Sequence, residues 1–336
     1  MAPQREKRFQ RNPALEELLQ EINDLLHPVE ERVIGAYDQP RYPIVFVVGV
    51  PRAGSTLMMQ WLANTGYFAY PTNLLSRFYG APYVGARIQR LLTDPLFAYG
   101  NELTEFDQEV KFTSTLGKTQ GVLAPNEFWY FWRRFFPNTM PEKLSDEQLR
   151  GADGEGFVRE LAALEAAFDK PFALKGLILE LNIPFLSGLF ARALFLHVRR
   201  HPFYNAQSLL EARVKYYGRR DAWYSIKPPE YPHFSDADPF TQVAAQVHFT
   251  SQALVEGLAS IDDSRSLTVE YEDFCADPPA TFEAILDKCG AQGYHVGWKY
   301  RGPDRFQSTN QVRLPPEDCR ALAHACQRFN GKEVTP

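Results

Sequence analysis

Cysteine is scarce in this 336-residue chain: Cys275, Cys289, Cys319 and Cys326 are all it has. None belongs to a CxxC pair, and no Cys/His cluster has zinc spacing, which argues against a structural zinc module. Thiols confined to the last quarter read as reduced, partly buried side chains, and so point to a cytoplasmic protein. Long apolar runs are missing too; none approaches the ~20 residues that cross a bilayer. Arg5, Lys7, Arg8 and Arg11 make a basic N-terminus, but no apolar segment of signal-peptide type follows them. An excess of positive charge is also absent. A net charge of -5 and a pI near 5.9 speak against a nucleic-acid partner, while leaving room for a local basic pocket around a small anion. What is present, 45% hydrophobic and 23% charged residues, is ordinary globular composition. The length fits two domains, or a single α/β domain with a large insertion.

The first periodic segment is Ala14 to Leu26, begun by Asn12-Pro13, with Leu15, Leu18, Leu19, Ile22, Leu25 and Leu26 on one stripe. This amphipathic helix is expected to pack on the body or on a second subunit of a homo-oligomer. Residues 1–40 thus form a helical extension. Ile44 to Val48 is a short apolar run rich in β-branched residues, ended by Gly49 and Pro51, and reads as a strand buried on both faces. A helix over Ser55 to Thr65, closed by Gly66, follows it. Further strands are expected at Phe172 to Lys175, Leu194 to Val198 and Leu267 to Tyr271. Helices are expected at Asn205 to Tyr216 and from Asp277-Pro278 to Cys289, stopped by Gly290. Strands alternating with helices predict an α/β fold with a parallel sheet. Residues 73–170 differ: they are dense in aromatics, above all Phe128-Trp129-Tyr130-Phe131-Trp132, and read as a mostly helical insertion. An aromatic stripe of this kind is core before it is anything else; polar Asn126 and Glu127 beside it leave room for an acceptor pocket.

Between the first strand and its helix lies Gly49-Val50-Pro51-Arg52-Ala53-Gly54-Ser55-Thr56. Its glycines permit a tight turn, and the N–H groups of loop and helix start can surround a phosphate. A nucleoside triphosphatase needs a Lys where this chain has Ser55. The cation instead sits inside the loop, as Arg52. Pro51 to Leu57 resembles the 5′-phosphosulfate loop of the sulfotransferase superfamily. A second match lies downstream, where Leu194 to Val198 runs into Arg199-Arg200-His201-Pro202 and Ser208 stands eight residues after Arg200. The family's 3′-phosphate site has this spacing, with Arg200 and Ser208 in its positions. Tyr271-Glu272-Asp273-Phe274 resembles a family strand end, and Asp277-Pro278 its helix start. Lys299 to Arg313, with Arg301-Gly302, resembles the loop that closes over the nucleotide. Pro315 to Gly331 resembles the final helix.

The resemblance covers Pro43 to about Gly331 except the insertion, and implies one P-loop-type domain over 41–331, with 73–170 on the acceptor side. It implies 3′-phosphoadenosine 5′-phosphosulfate as donor and no metal. The donor would be held by Pro51, Arg52, Ala53, Gly54, Ser55, Thr56, Arg200, Ser208, Tyr271 and Arg301. The acceptor would be a hydroxyl or amine of a small molecule, a carbohydrate or a glycoconjugate. In-line sulfuryl transfer needs cations on the leaving oxygen, a base for the acceptor, and alignment. Arg52 and Lys175 are the expected cations. The family's catalytic His position holds Leu177, and Asn73 to Gly80 contains no Asp, Glu or His. The base is therefore expected in the insertion, at Glu127, whose aromatic neighbours predict a raised pKa. Glu102, Glu105, Asp107 and His197 are alternatives. Two other functions stand as alternatives: an ATP-dependent kinase, against which the missing loop Lys argues, and a non-catalytic nucleotide-binding protein.

Overall fold

The computed structural model describes residues 5–97, 106, 109–136, 141–331 and 334. Its centre is a parallel sheet of β1 (Ile44–Val48), β2 (Ala173–Lys175), β3 (Ala193–Arg199) and β4 (Ser266–Glu270), in the order β2-β1-β3-β4. Every residue of β1 is buried, as an unbroken run of β-branched and aromatic side chains requires when both sheet faces are covered. Val47 pairs with Lys175 on one side and Leu196 on the other. The chain leaves β1 for β2 on one side, then crosses to β3 on the opposite side. Such a reversal opens a crevice beyond the carboxyl ends of the central strands.

The helices are α1 (Pro13–Ile34), α2 (Ser55–Thr65), α3 (Pro82–Thr93), α4 (Trp129–Phe135), α5 (Asp146–Arg150), α6 (Gly154–Phe168), α7 (Ile183–Gly188), α8 (Pro202–Tyr217), α9 (Pro239–Ala259), α10 (Tyr271–Ala276), α11 (Pro278–Ala291) and α12 (Pro316–Asn330). α2 packs on β1 and β2, while α9 packs on β3 and gathers α8 and α12. Gly66 closes α2 at φ 77°, a conformation open to glycine without cost. Several boundaries differ from the sequence reading, three of them instructively. Tyr271 opens α10 rather than ending the fourth strand. α8 starts at Pro202, whose fixed φ suits a first helical position. α11 runs through Gly290 to Ala291, and the positive φ falls on Gly293 instead.

The aromatic stripe before and within α4 is core. Phe128, Phe131, Trp132, Phe135 and Phe136 are buried. Phe128 stacks on Phe131 at 4.5 Å, Trp132 lies 4.7 Å from Phe157 of α6, and Trp132 also meets Phe46 of β1 at 6.4 Å. The insertion core is therefore continuous with the sheet core.

α1 is longer than its periodicity suggests, continuing past Pro28 to Ile34, and it lies on α3 and α6 of the same chain. The face it buries is only part of the leucine stripe: Leu19 is buried and Leu15, Ile22 and Leu26 are half-buried. Leu18 and Leu25 are 53% and 70% exposed, while Asn23 and Glu30 are buried. The reason lies in the opposing surface, which presents backbone polar groups. Asn23 donates to the carbonyl of Arg77 and accepts from the N–H of Gly80 at 2.6 Å. Glu30 accepts from the N–H groups of Tyr83 (2.6 Å) and Val84 (3.0 Å), in the first turn of α3. Groups of this kind must be paired when buried, so polar anchors share the buried face with Leu19. They also carry the helix across a proline that costs about 3 kcal/mol in a helix interior.

Candidate active site

One cavity of about 1100 Å³ opens at the carboxyl ends of β1 and β3. Its floor is the loop after β1. Two glycines there are steric necessities. A Cβ on Gly49 would stand 2.5 Å from the Val198 carbonyl oxygen, and one on Gly54 2.6 Å from the Tyr271 ring. Arg52 adopts φ 74°, a left-handed conformation that costs a non-glycine residue of order 1–3 kcal/mol and recurs at ligand sites. No side chain caps α2, so its first N–H groups, at the Ser55-Thr56 end, face the cavity with the helix dipole behind them.

Lys175, at the end of β2, supplies the charge that the loop lacks at Ser55. Its ammonium donates to Thr56 Oγ1 (3.0 Å) and to Glu127 Oε1 (2.9 Å). Glu127 reaches this point from an irregular turn. Thr72 bridges to Pro125, Asn126 donates to Asn73 Oδ1 at 2.9 Å and accepts from Phe128 N–H, and Phe128 takes φ 59°. The turn sends Phe128 into the core and Glu127 into the cavity. Trp129 Nε1 donates to Glu127 Oε2 at 2.8 Å.

These surroundings overturn the expectation of a raised Glu127 pKa. Burial does push the carboxyl up. The charge and hydrogen bond of Lys175, the Trp129 N–H and the field of Arg52 together outweigh burial and hold it below the ordinary value. A second carboxyl, which the sequence reading missed, behaves in the opposite way. Glu180 lines the cavity and accepts from the Gly49 N–H at 2.6 Å. Burial pushes it up to about 8; Gly49 and Lys175 oppose this, and Glu127 adds to it. Its signal in the sequence is a lone carboxylate in the apolar run Leu177-Ile178-Leu179-Glu180-Leu181.

Arg200, just beyond β3, donates to the Arg52 carbonyl (3.1 Å), Asn310 Oδ1 (2.8 Å) and Thr309 Oγ1 (3.2 Å). Its guanidinium lies 4.8 Å over the Tyr271 ring, and the Tyr271 hydroxyl is 3.0 Å from Thr309 Oγ1. The segment from Lys299 to Arg313 thus does reach the crevice, through Thr309 and Asn310. Arg301 does not; it stacks over Tyr67 at 5.5 Å and is not part of the cavity wall. Ser208 accepts from Arg52 Nε at 3.2 Å and is buried beneath the loop, and Ala53 faces the core. Pro51, Arg52, Gly54, Ser55, Thr56, Glu127, Lys175, Arg200 and Tyr271 all line the cavity. Of the alternative bases, Glu102, Glu105 and Asp107 lie outside the described residues. His197 is inside β3, away from the cavity, with neither ring nitrogen hydrogen-bonded. Burial, with Arg199 adding, pushes it down to about 4, which suits a neutral core imidazole rather than a base.

The four cysteines are unpaired thiols. No described helix is long and apolar enough to cross a membrane, and no described group of three His, Cys, Asp or Glu side chains is placed to hold a metal ion.

Comparison with known proteins adds the following. No curated protein matches this chain. A sulfotransferase from Mycobacterium avium has a similar crystal structure, with a TM-score of 0.51 at 15% identity over 97% of this chain and 88% of that one. A sulfotransferase from Mycobacterium tuberculosis H37Rv is similar at a TM-score of 0.46 and 14% identity, over 94% and 82% of the two chains. At such identity the first of these speaks for the fold. Residues 43–295, which hold the loop, Glu127, Lys175, Arg200 and Tyr271, match the profile of the sulfotransferase family, and the chain belongs to that family.

Proposed function

We propose that this chain transfers a sulfuryl group from 3′-phosphoadenosine 5′-phosphosulfate to a hydroxyl or amine acceptor by in-line displacement. The observation that carries this reading is the Lys175 ammonium, held between Thr56 of the anion loop and the carboxylate of Glu127. The residues fit such a donor. The uncapped start of α2 and Arg52 would hold the 5′-phosphosulfate, with Arg200 and Tyr271 at the 3′-phosphate and Thr309 beside them. Ser208 would act through Arg52, to which it is bonded. Ordinary ligand cavities run to about 1,000 Å³. A cavity of about 1100 Å³ leaves room for an acceptor beside the nucleotide.

Four jobs follow. Arg52, permanently charged, neutralises sulfuryl oxygens in the transition state. Lys175 faces the oxygen that bridges phosphorus and sulfur and stabilises its growing charge. Glu127 takes the acceptor's proton as the acceptor oxygen bonds to sulfur and the bond to the bridging oxygen breaks, releasing adenosine 3′,5′-bisphosphate. Glu180, protonated near neutral pH, keeps the site free of a second negative charge. The depressed Glu127 is a weak base while Lys175 is bonded to it. An anionic donor draws Lys175 toward itself, and burial then raises Glu127 toward useful basicity. Base strength would thus arrive with the donor.

Calorimetric titration tests the donor assignment. Metal-free binding of adenosine 3′,5′-bisphosphate, with weak binding of ATP and magnesium, is the expected result. Binding of ATP with magnesium and not of the bisphosphate would replace this reading with a kinase. Bisphosphate binding without turnover on any acceptor would leave a binding protein.

A further inference from the structure

The acceptor end of the cavity has a chemistry of its own. Its wall is aromatic: Phe9 packs on Tyr216 with centroids 4.3 Å apart, Tyr216 stacks on Tyr224 at 5.0 Å, and Trp129 and Tyr130 line the same cavity. Cations converge on it from separate parts of the chain: Arg5 and Arg11 from the N-terminal stretch, Lys118 from the turn at 115–118, and Arg133 from α4. Lys118 holds its ammonium 5.3 Å from the Phe9 centroid. Among them stands Glu16, which already accepts from the Tyr130 hydroxyl at 2.6 Å and lies 3.8 Å from Arg11. The turn that carries Lys118 begins at the reacting centre. A Cβ on Gly117 would stand 3.5 Å from Thr56 Oγ1 and 4.0 Å from Glu127 Oε1.

Like charges gathered in a cleft with low-dielectric walls concentrate anions. They also disfavour one another: Arg133 is lowered first by burial, then by Arg11 and Arg5. The donor's phosphates are assigned above to the anion loop and Arg200, which leaves these cations for another anion. We infer that the acceptor is a ring-bearing hydroxyl compound that carries an anionic group. Its ring lies among Phe9, Trp129 and Tyr216, its anion meets Arg5, Arg11 and Lys118, and its hydroxyl points to Glu127. This rests on the sulfuryl-transfer reading of the cavity. Two sources share the chemistry, hydroxyaryl acids and acidic sugars.

The test uses binding to the full chain saturated with adenosine 3′,5′-bisphosphate. Two matched pairs are titrated: para-hydroxyphenylacetate against para-hydroxyphenylacetamide, and methyl glucuronoside against methyl glucoside. In at least one pair the anionic member should bind about tenfold more tightly at low salt, the worth of two partly exposed charge contacts. The preference should shrink with added salt and fall toward unity in the Arg11→Gln, Lys118→Gln double variant. A preference in the aryl pair alone assigns hydroxyaryl acids, and one in the sugar pair alone assigns acidic sugars. Equal binding within both pairs, or tighter binding of the neutral members, overturns the inference and leaves the donor assignment standing. Failure of the bisphosphate itself to bind would instead remove the donor assignment on which the inference rests.

Discussion

Lys175 shares its ammonium between Thr56 and Glu127, so the basicity of the Glu127 carboxylate depends on where that ammonium points. Replacing Glu127 by Gln should lower turnover by about 10²-fold or more, the lower range for loss of a general base, with bisphosphate affinity little changed. Turnover near that of the parent would remove Glu127 from the mechanism. In Lys175→Met the burial that raises Glu127 stands without its main opponent. The acid limb of kcat/KM should then move to higher pH; an unmoved limb would mean that another group is the base. Arg200→Ala should weaken adenosine 3′,5′-bisphosphate by about tenfold or more, the worth of hydrogen bonds to a charged group, and adenosine 5′-phosphate far less. Equal weakening would place Arg200 away from the 3′-phosphate. Arg52, Lys175 and Arg200 are legible in the sequence because each ends a strand or sits in the loop after one, where parallel sheets expose side chains. Glu180 leaves only the faint signal of a lone carboxylate in an apolar run, and Lys118 leaves none. Their roles depend on which loop lies opposite, and local pattern does not record that.

At the scale of elements, the strands follow from their own composition, and α2 from its bounding glycines. The seating of α1 does not. Its sequence advertises leucines, while the structure buries Asn23 and Glu30 alongside Leu19 and leaves Leu18 and Leu25 exposed, because the opposing first turn of α3 needs acceptors. Glu30→Ala would leave two buried N–H groups unpaired, at about 1–3 kcal/mol each. Chemical denaturation should show a loss of about 2 kcal/mol or more, whereas Leu25→Ala, at a site 70% exposed, should fall within about 0.5 kcal/mol of the parent. The reverse ranking would mean that α1 is held by its leucines after all.

For the molecule as a whole, the raised carboxyls set a pH dependence. Glu180 rises from 4.5 to about 8 and Glu30 from 4.5 to about 7 on folding. Between those limits the folded chain holds protons that the unfolded chain has lost, so stability should fall as pH rises from about 4.5 to about 8. Each pKa unit is worth about 1.4 kcal/mol, so Glu180→Gln should remove a few kcal/mol of that decline. Denaturation midpoints measured at pH 5 and pH 8 check this; an unchanged slope in the variant would place the Glu180 carboxyl in contact with water. The Arg200 contacts carry a further consequence. They bind Arg200, just beyond the central strand β3, to Thr309 and Asn310, more than a hundred positions later in the chain. During synthesis the sheet strands are all translated before that segment emerges, so a ribosome-bound intermediate can have its sheet assembled while its nucleotide pocket still lacks one wall. Acquisition of ligand affinity should therefore lag behind formation of the sheet in a nascent chain.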